Sequence, residues 1–364
     1  MINNYSKVVN ALKYTPEGRI ALSEKRAQQW VVPAIMLSAI IWWAIFRNLA
    51  PIPISGWPSI GAGALISSML ITLLCFPLSY IEGINYAKHY NSALDFRGLR
   101  KLFSVVTLSL AFTIVVAILV GVGTFVFNLA FKDLTLDQYS SAVIVGLVTG
   151  ITTYSIISTA TKLVTRDIVN AFTAFMLVGV FASMITSQNP YWWEQNFSSL
   201  GTSSSFSSLA FNYTLILSGF LMICMSQHLF ADLQAITGHR RGQINANVIR
   251  ALFVFIAICL AGVGLFPYSQ HPALHNLSAY SMVLGFATLI ISLRWLVPTI
   301  GSAFLNLSYI ILATIGVAYF LFTYLHYFNL TAFELTAFSI TFVWLVLFLR
   351  TVGVMQATTA TIQK

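Results

Sequence analysis

Two histidines four residues apart, His271 and His275 in SQHPALHNL, carry the spacing that places two imidazoles on one helical face. That arrangement suits a metal ion, and a third ligand would have to come from Glu194 or Glu334. Pro272 lies between them and is tolerated only in the first turn of a helix. Two histidines alone are a weak metal signal, so the plainer account is preferred: interfacial histidines bonded to nearby loop backbone. A second pair with the same spacing, His228 and Asp232, reads as a capped, dipole-compensated helix end.

The densest polar chemistry lies in NPYWWEQNFSSLGTSSSFSSLAFNYTLILSGFLM, Asn189 to Met222. Trp192 and Trp193 suit the aromatic belt at a lipid–water boundary. Asn196, Ser198, Ser199, Ser203, Ser204 and Ser205 offer donors and acceptors for a polar headgroup. A long polar loop among apolar elements is a common carrier of function. Glu82 and Glu334 fall within apolar segments, where a charge is costly and marks a functional candidate. Enzyme signatures are lacking: the sequence holds no P-loop, no GxSxG, no HExxH and no paired acids within one apolar segment.

What must position these residues is set by composition. Of 364 residues, 58% are hydrophobic and only 8% charged, with a mean hydropathy of +0.82. A soluble domain carries about 25% charged residues, so this chain takes lipid as its solvent. The expectation is an all-α, polytopic membrane bundle. Segments of about 20 apolar residues predict ten spans: 30–49, 59–82, 102–131, 139–161, 168–187, 209–231, 248–267, 277–296, 304–325 and 331–349. Residues 1–29 are polar and basic, unlike a secretory signal. Thr15-Pro16-Glu17 reads as a helix start that runs on toward the first span. Cys75, Cys224 and Cys259 are scattered within apolar segments and read as small buried hydrophobes.

With both termini inside, seventeen of the nineteen basic residues fall on the inner side, leaving Arg47 and Lys132 outside. The positive-inside rule predicts that split. The net charge of +9 is therefore spread along inner loops near anionic headgroups, which argues against nucleic acid as a partner. The domain reading is a basic N-terminal segment (1–29), a four-span unit (30–163), a six-span unit (164–350) and a tail (351–364), in a bacterial cytoplasmic membrane. Gly146 and Gly150 in GLVTG have the spacing of a close helix contact.

The second half resembles the bacterial membrane family catalogued as domain of unknown function 998, itself distantly similar to the DRAM and Sfk membrane proteins. The resemblance rests on Asn196, Ser199, Leu200, Gly201, Phe211, Asn212, Phe266, Pro267 and His275, and it covers residues 168–350. It implies a bundle of about six helices and a lipid environment, and no particular reaction. Spans one to four lie outside it.

Together these readings predict an outward-facing polar pocket at headgroup level. Asn196, Ser199, Asn212, His271 and His275 would line it, with Trp192 and Trp193 at the rim. The favoured function is non-catalytic binding or organisation of a lipid or envelope precursor. A permease or flippase comes second and a membrane-embedded metal-assisted hydrolase third. Membrane lipids are the expected partners, a homo-oligomer or further membrane partner is left open, and no metal or cofactor is expected.

Overall fold

The computed structural model describes residues 14–49, 51–91, 94, 98–202, 205–237 and 240–362. Ten helices account for nearly all of them: α1 (Pro16–Phe46), α2 (Ile60–Ala87), α3 (Gly98–Ala130), α4 (Gln138–Thr161), α5 (Thr165–Ile185), α6 (Phe206–Thr237), α7 (Arg240–Leu265), α8 (Pro272–Leu296), α9 (Ser302–Thr323) and α10 (Leu330–Ile362). Each is long and apolar enough to cross a membrane. The chain is an all-α, multi-pass membrane protein. Among the described residues, its strands are two dipeptides, β1 (Ile52–Pro53) and β2 (Thr135–Leu136), paired antiparallel as a small ribbon.

Local chemistry sets the helix starts. Thr15 Oγ1 accepts from the Gly18 amide at 3.0 Å, ahead of Pro16 and Glu17, a capped N-terminus with its proline at the tolerated position. The helix begun there continues without a break through the first apolar segment. Ser59 caps α2 through the Ala62 amide at 3.1 Å. Asp137 caps α4, accepting from the amides of Tyr139 and Ser140 at 2.8 and 3.1 Å. The Ser140 side chain, then those amides, hold its carboxyl below the usual carboxylate range.

Two compact units, Met1–Val164 and Thr165–Lys364, divide the chain. In the first, α4 lies against both α1 and α2, while α3 packs on α2. Lipid tails are as apolar as leucine, so close van der Waals fit and interhelical hydrogen bonds must hold the helices. A Cβ on Gly146 would stand 2.8 Å from the Ile35 carbonyl oxygen and 3.0 Å from the Ala39 Cβ. The GLVTG segment is thus a close contact with α1. Hydroxyl pairs cross the same unit: Ser38 with Thr149 at 3.0 Å, Ser68 with Thr152 at 3.1 Å, and Trp42 Nε1 donating to Ser67 Oγ at 2.7 Å.

In the second unit α6 is packed by α5, α7 and α10, α8 lies on α7, and α9 bridges α8 and α10. Its interior is aromatic: Trp344 stacks on Phe348 at 5.1 Å and meets Phe286 edge-on at 5.0 Å. The Trp344 indole donates to Ser308 Oγ at 2.8 Å, so the buried polar edge is satisfied.

Candidate functional site

The connection between α5 and α6 contains two short 3-10 turns, Trp192–Glu194 and Phe197–Gly201. An apolar anchor fixes the second turn. The buried Phe197 ring meets Phe211 of α6 edge-on at 5.1 Å and Phe338 of α10 at 5.7 Å. That anchor aims the first amide of the turn at α10, where the Phe197 N–H donates to Glu334 Oε2 at 2.6 Å. Ser198 Oγ lies 3.5 Å from Glu334 Oε1 and 3.1 Å from His275 Nε2. The other imidazole nitrogen, Nδ1, meets the Phe266 carbonyl at 2.9 Å. A carboxylate, a hydroxyl and an imidazole thus form one line, with the imidazole only 4% exposed.

The rest of the turn is held by backbone bonds. Ser199 Oγ donates to the carbonyls of Asn196 at 2.6 Å and Trp192 at 3.2 Å. Asn212 Nδ2 and Ser208 Oγ both donate to the Gly201 carbonyl, at 2.9 and 2.8 Å. A Cβ at position 201 would run into Asn212 Oδ1 and stand 3.0 Å from the Phe211 ring, so this close approach requires glycine. Ser269 Oγ, from the connection after α7, donates to the Thr202 carbonyl at 3.3 Å.

Asn196, Ser199, Asn212 and His275 are therefore gathered at one turn. The donors of Ser199 and Asn212 and both imidazole nitrogens are spent within the protein, while Asn196 Oδ1 is buried with no partner. His271 stands apart: it is exposed, precedes α8 without a side-chain cap bond, and meets the Phe266 ring edge-on at 6.1 Å. Trp192 lies 6.4 Å from Phe197, whereas Trp193 is exposed and its carbonyl accepts from Asn329 Nδ2 at 3.4 Å. Ser203 and Ser204 lie outside the described residues. Among the described residues, no three His, Cys, Asp or Glu side chains are grouped as a metal site. Asp232 accepts from Thr165 Oγ1 at 2.5 Å, joining the ends of α6 and α5. Sequence reasoning missed Ser208 and Asn329; the four-residue step from Ser208 to Asn212 on one helical face was its available signal.

Nothing among protein-family models, curated proteins or solved structures matches this chain. Its geometry alone carries the functional reading.

The first unit holds two further features. At the end of α1 nearest Pro16, Arg26 grips Glu82 of α2 through Nε at 2.9 Å and Nη2 at 2.7 Å. Glu24 collects Tyr154 Oη at 2.5 Å, Ser158 Oγ at 3.2 Å and Lys162 Nζ at 3.5 Å from the last turns of α4. Arg19, buried, donates from Nε to the Thr161 carbonyl at 2.7 Å. Glu82 is thus one half of an ion pair. This polar belt fastens α1 to α2 and α4 at a single end.

The second feature is a crevice of about 740 Å³ between α3 and α4, with Ile60, Gly61 and Ala64 of α2 also in its lining and Ile54 and Leu136 at the ribbon end. It runs from Phe112 to Phe127 along α3 and from Ile144 to Thr159 along α4, about 22 Å at 1.5 Å per residue. Its walls are mainly aliphatic and aromatic, with Ser155 and Thr159 also in the lining. Thr124 and Thr152 turn their hydroxyls to their own helices, donating to Val120 O and Val148 O. The side is open: Leu119, Phe127 and Ile151 are 67, 59 and 68% exposed. Lys132 and Asn128, both exposed, stand at the ribbon end.

Proposed function

We propose that this protein binds membrane lipid without catalysis, seating a long hydrocarbon chain in the crevice between α3 and α4 with the headgroup at the ribbon end. The crevice carries the reading. Its volume of about 740 Å³ falls within the roughly 300–1,000 Å³ of ordinary ligand sites. Its walls offer an apolar occupant contact that a polar one would not gain. Its 22 Å run covers most of a hydrocarbon core about 30 Å thick, so a chain can lie along it. Lys132 supplies a cation for an anionic headgroup where the basic-residue pattern puts the outer surface.

The outer loop of the second unit contributes differently. The donors of Ser199 and Asn212 and both ring nitrogens of His275 are spent on groups of the protein itself, which supports a structural role for these three residues. Native mass spectrometry after minimal delipidation tests the proposal. The expected result is a stoichiometric retained lipid, with Lys132→Ala shifting the bound population away from anionic headgroups. Recovery of no retained lipid, or of lipid in the bulk proportions of the membrane, would contradict it.

A further inference from the structure

The two ends of the crevice between α3 and α4 are unlike. Its lining on α3 stops at Phe112, although that helix runs on to Gly98. Phe112 is held there by stacking on Phe76 at 4.7 Å, and Phe76 stacks in turn on Tyr80 at 5.9 Å. Both of those partners are fully buried. Beyond this ring wall the lining continues only on α4, through Ser155 to Thr159.

Other hydroxyls in the last turns of α4 are spent within the protein. Thr149, Thr152, Thr153 and Thr161 each donate to the carbonyl four residues back, at 2.8, 2.9, 2.7 and 2.8 Å. That back-bond is the usual resort of a serine or threonine inside a helix. Tyr154 and Ser158 donate instead to Glu24. Ser155 and Thr159 differ from all of these: they line the crevice and bond to no described residue. Four residues apart, they share one helical face with Cβ atoms about 5–6 Å from each other. An alkyl chain offers them no partner, and a hydroxyl facing hydrocarbon alone is costly. The turns that carry them also carry the polar belt of Tyr154, Ser158 and Lys162 around Glu24. The pair thus lies at a polar level, at the end where the basic-residue pattern puts the inner surface.

We propose that the crevice also seats an ester-linked lipid of the inner leaflet, its acyl carbonyl accepting from Ser155 Oγ and Thr159 Oγ1. This rests on the lipid-binding reading of the crevice and adds a second mouth to it. A carbonyl oxygen carries two lone pairs, so one ester takes both donors. The ester is also the group that joins an acyl chain to its headgroup, so the chain lies along the apolar walls toward Gly123. The ribbon end receives its lipid from the opposite leaflet. The run of about 22 Å is shorter than the roughly 30 Å filled by the chains of two leaflets. The two modes therefore exclude each other, and one lipid is bound at a time.

Photo-labelling of the full-length protein in phosphatidylglycerol–phosphatidylethanolamine vesicles tests this. The probe is an acyl phospholipid with a diazirine on the carbon beside the ester, and labelled peptides are mapped by mass spectrometry. Two clusters are expected, one beside the ribbon at 124–136 and one at the other end, at 112–116 and 152–159. In the double variant Ser155→Ala, Thr159→Val the second cluster should fall about tenfold, the worth of two ordinary hydrogen bonds, while the first is kept. An ether-linked probe, which lacks the carbonyl, should show the same loss on the unaltered protein, where folding is not in question. Labels at the ribbon end alone would overturn the inner mode and leave the lipid-binding crevice standing. So would a second cluster indifferent to both the double substitution and the ether linkage. Labels nowhere in the crevice would overturn both.

Discussion

Asn212 and Gly201 work as a lock and its keyhole: the amide donates to a carbonyl only because no Cβ stands between them. Asn212→Leu removes the donor and leaves the Gly201 carbonyl with Ser208 alone, so a loss of about 1–3 kcal/mol is expected. A fall in the detergent-solubilised unfolding temperature, with exchange rising first at 196–202, would register it. The sequence grouped Asn196, Ser199, Asn212, His271 and His275 because their polar types interrupt an apolar chain, and of these His271 stands apart, exposed ahead of α8. It could not tell which way they face, since an asparagine near a headgroup reads the same whether it serves a ligand or a backbone carbonyl. Glu334 was legible as a costly charge near a span end. Its pairing with Ser198, 136 residues away, follows from packing and not from spacing.

Helices were legible at the level of hydropathy, because a backbone in lipid must bond within its own segment. All ten segments correspond to helices, and the ends differ most where polar residues extend a helix beyond the hydrocarbon. The first begins at Pro16 and the last runs to Ile362, well past the apolar limits at 30 and 349. Packing partners were less legible, since the exposed side of α1 is as apolar as its packed side, with Met36, Leu37, Ile40 and Ile41 all exposed. The Gly146–Gly150 step was the exception. Gly146→Leu must push the Ile35 carbonyl of α1 away and is expected to weaken the first unit by roughly 1–3 kcal/mol, the ordinary cost of overpacking. Thermal unfolding of that variant checks this. The Arg26–Glu82 pair is partly exposed, and Arg26→Ala is expected to cost at most about 1 kcal/mol.

At the scale of the molecule, ten crossings and an inner concentration of seventeen basic residues predict one topology. Reporter tags at residues 1 and 364 should be cytoplasmic and a tag at 203 external; an internal 203 would reverse every crossing from α6 onward. The crevice was not legible in the sequence, because its walls are the same Leu, Ile, Val and Phe that coat every lipid-facing surface. Only the separation of α3 from α4 reveals it. Its occupancy is the central claim, and a pair of glycines on α3 offers a clean comparison. A Cβ at either Gly121 or Gly123 meets nothing within 4 Å, yet only Gly123 lines the crevice. Both Gly→Leu changes favour the helix by up to about 1 kcal/mol, so neither should cost folding. Native mass spectrometry of the two variants side by side is the decisive measurement. The account predicts that Gly123→Leu loses the retained lipid while Gly121→Leu keeps it. Equal lipid retention by both would contradict it.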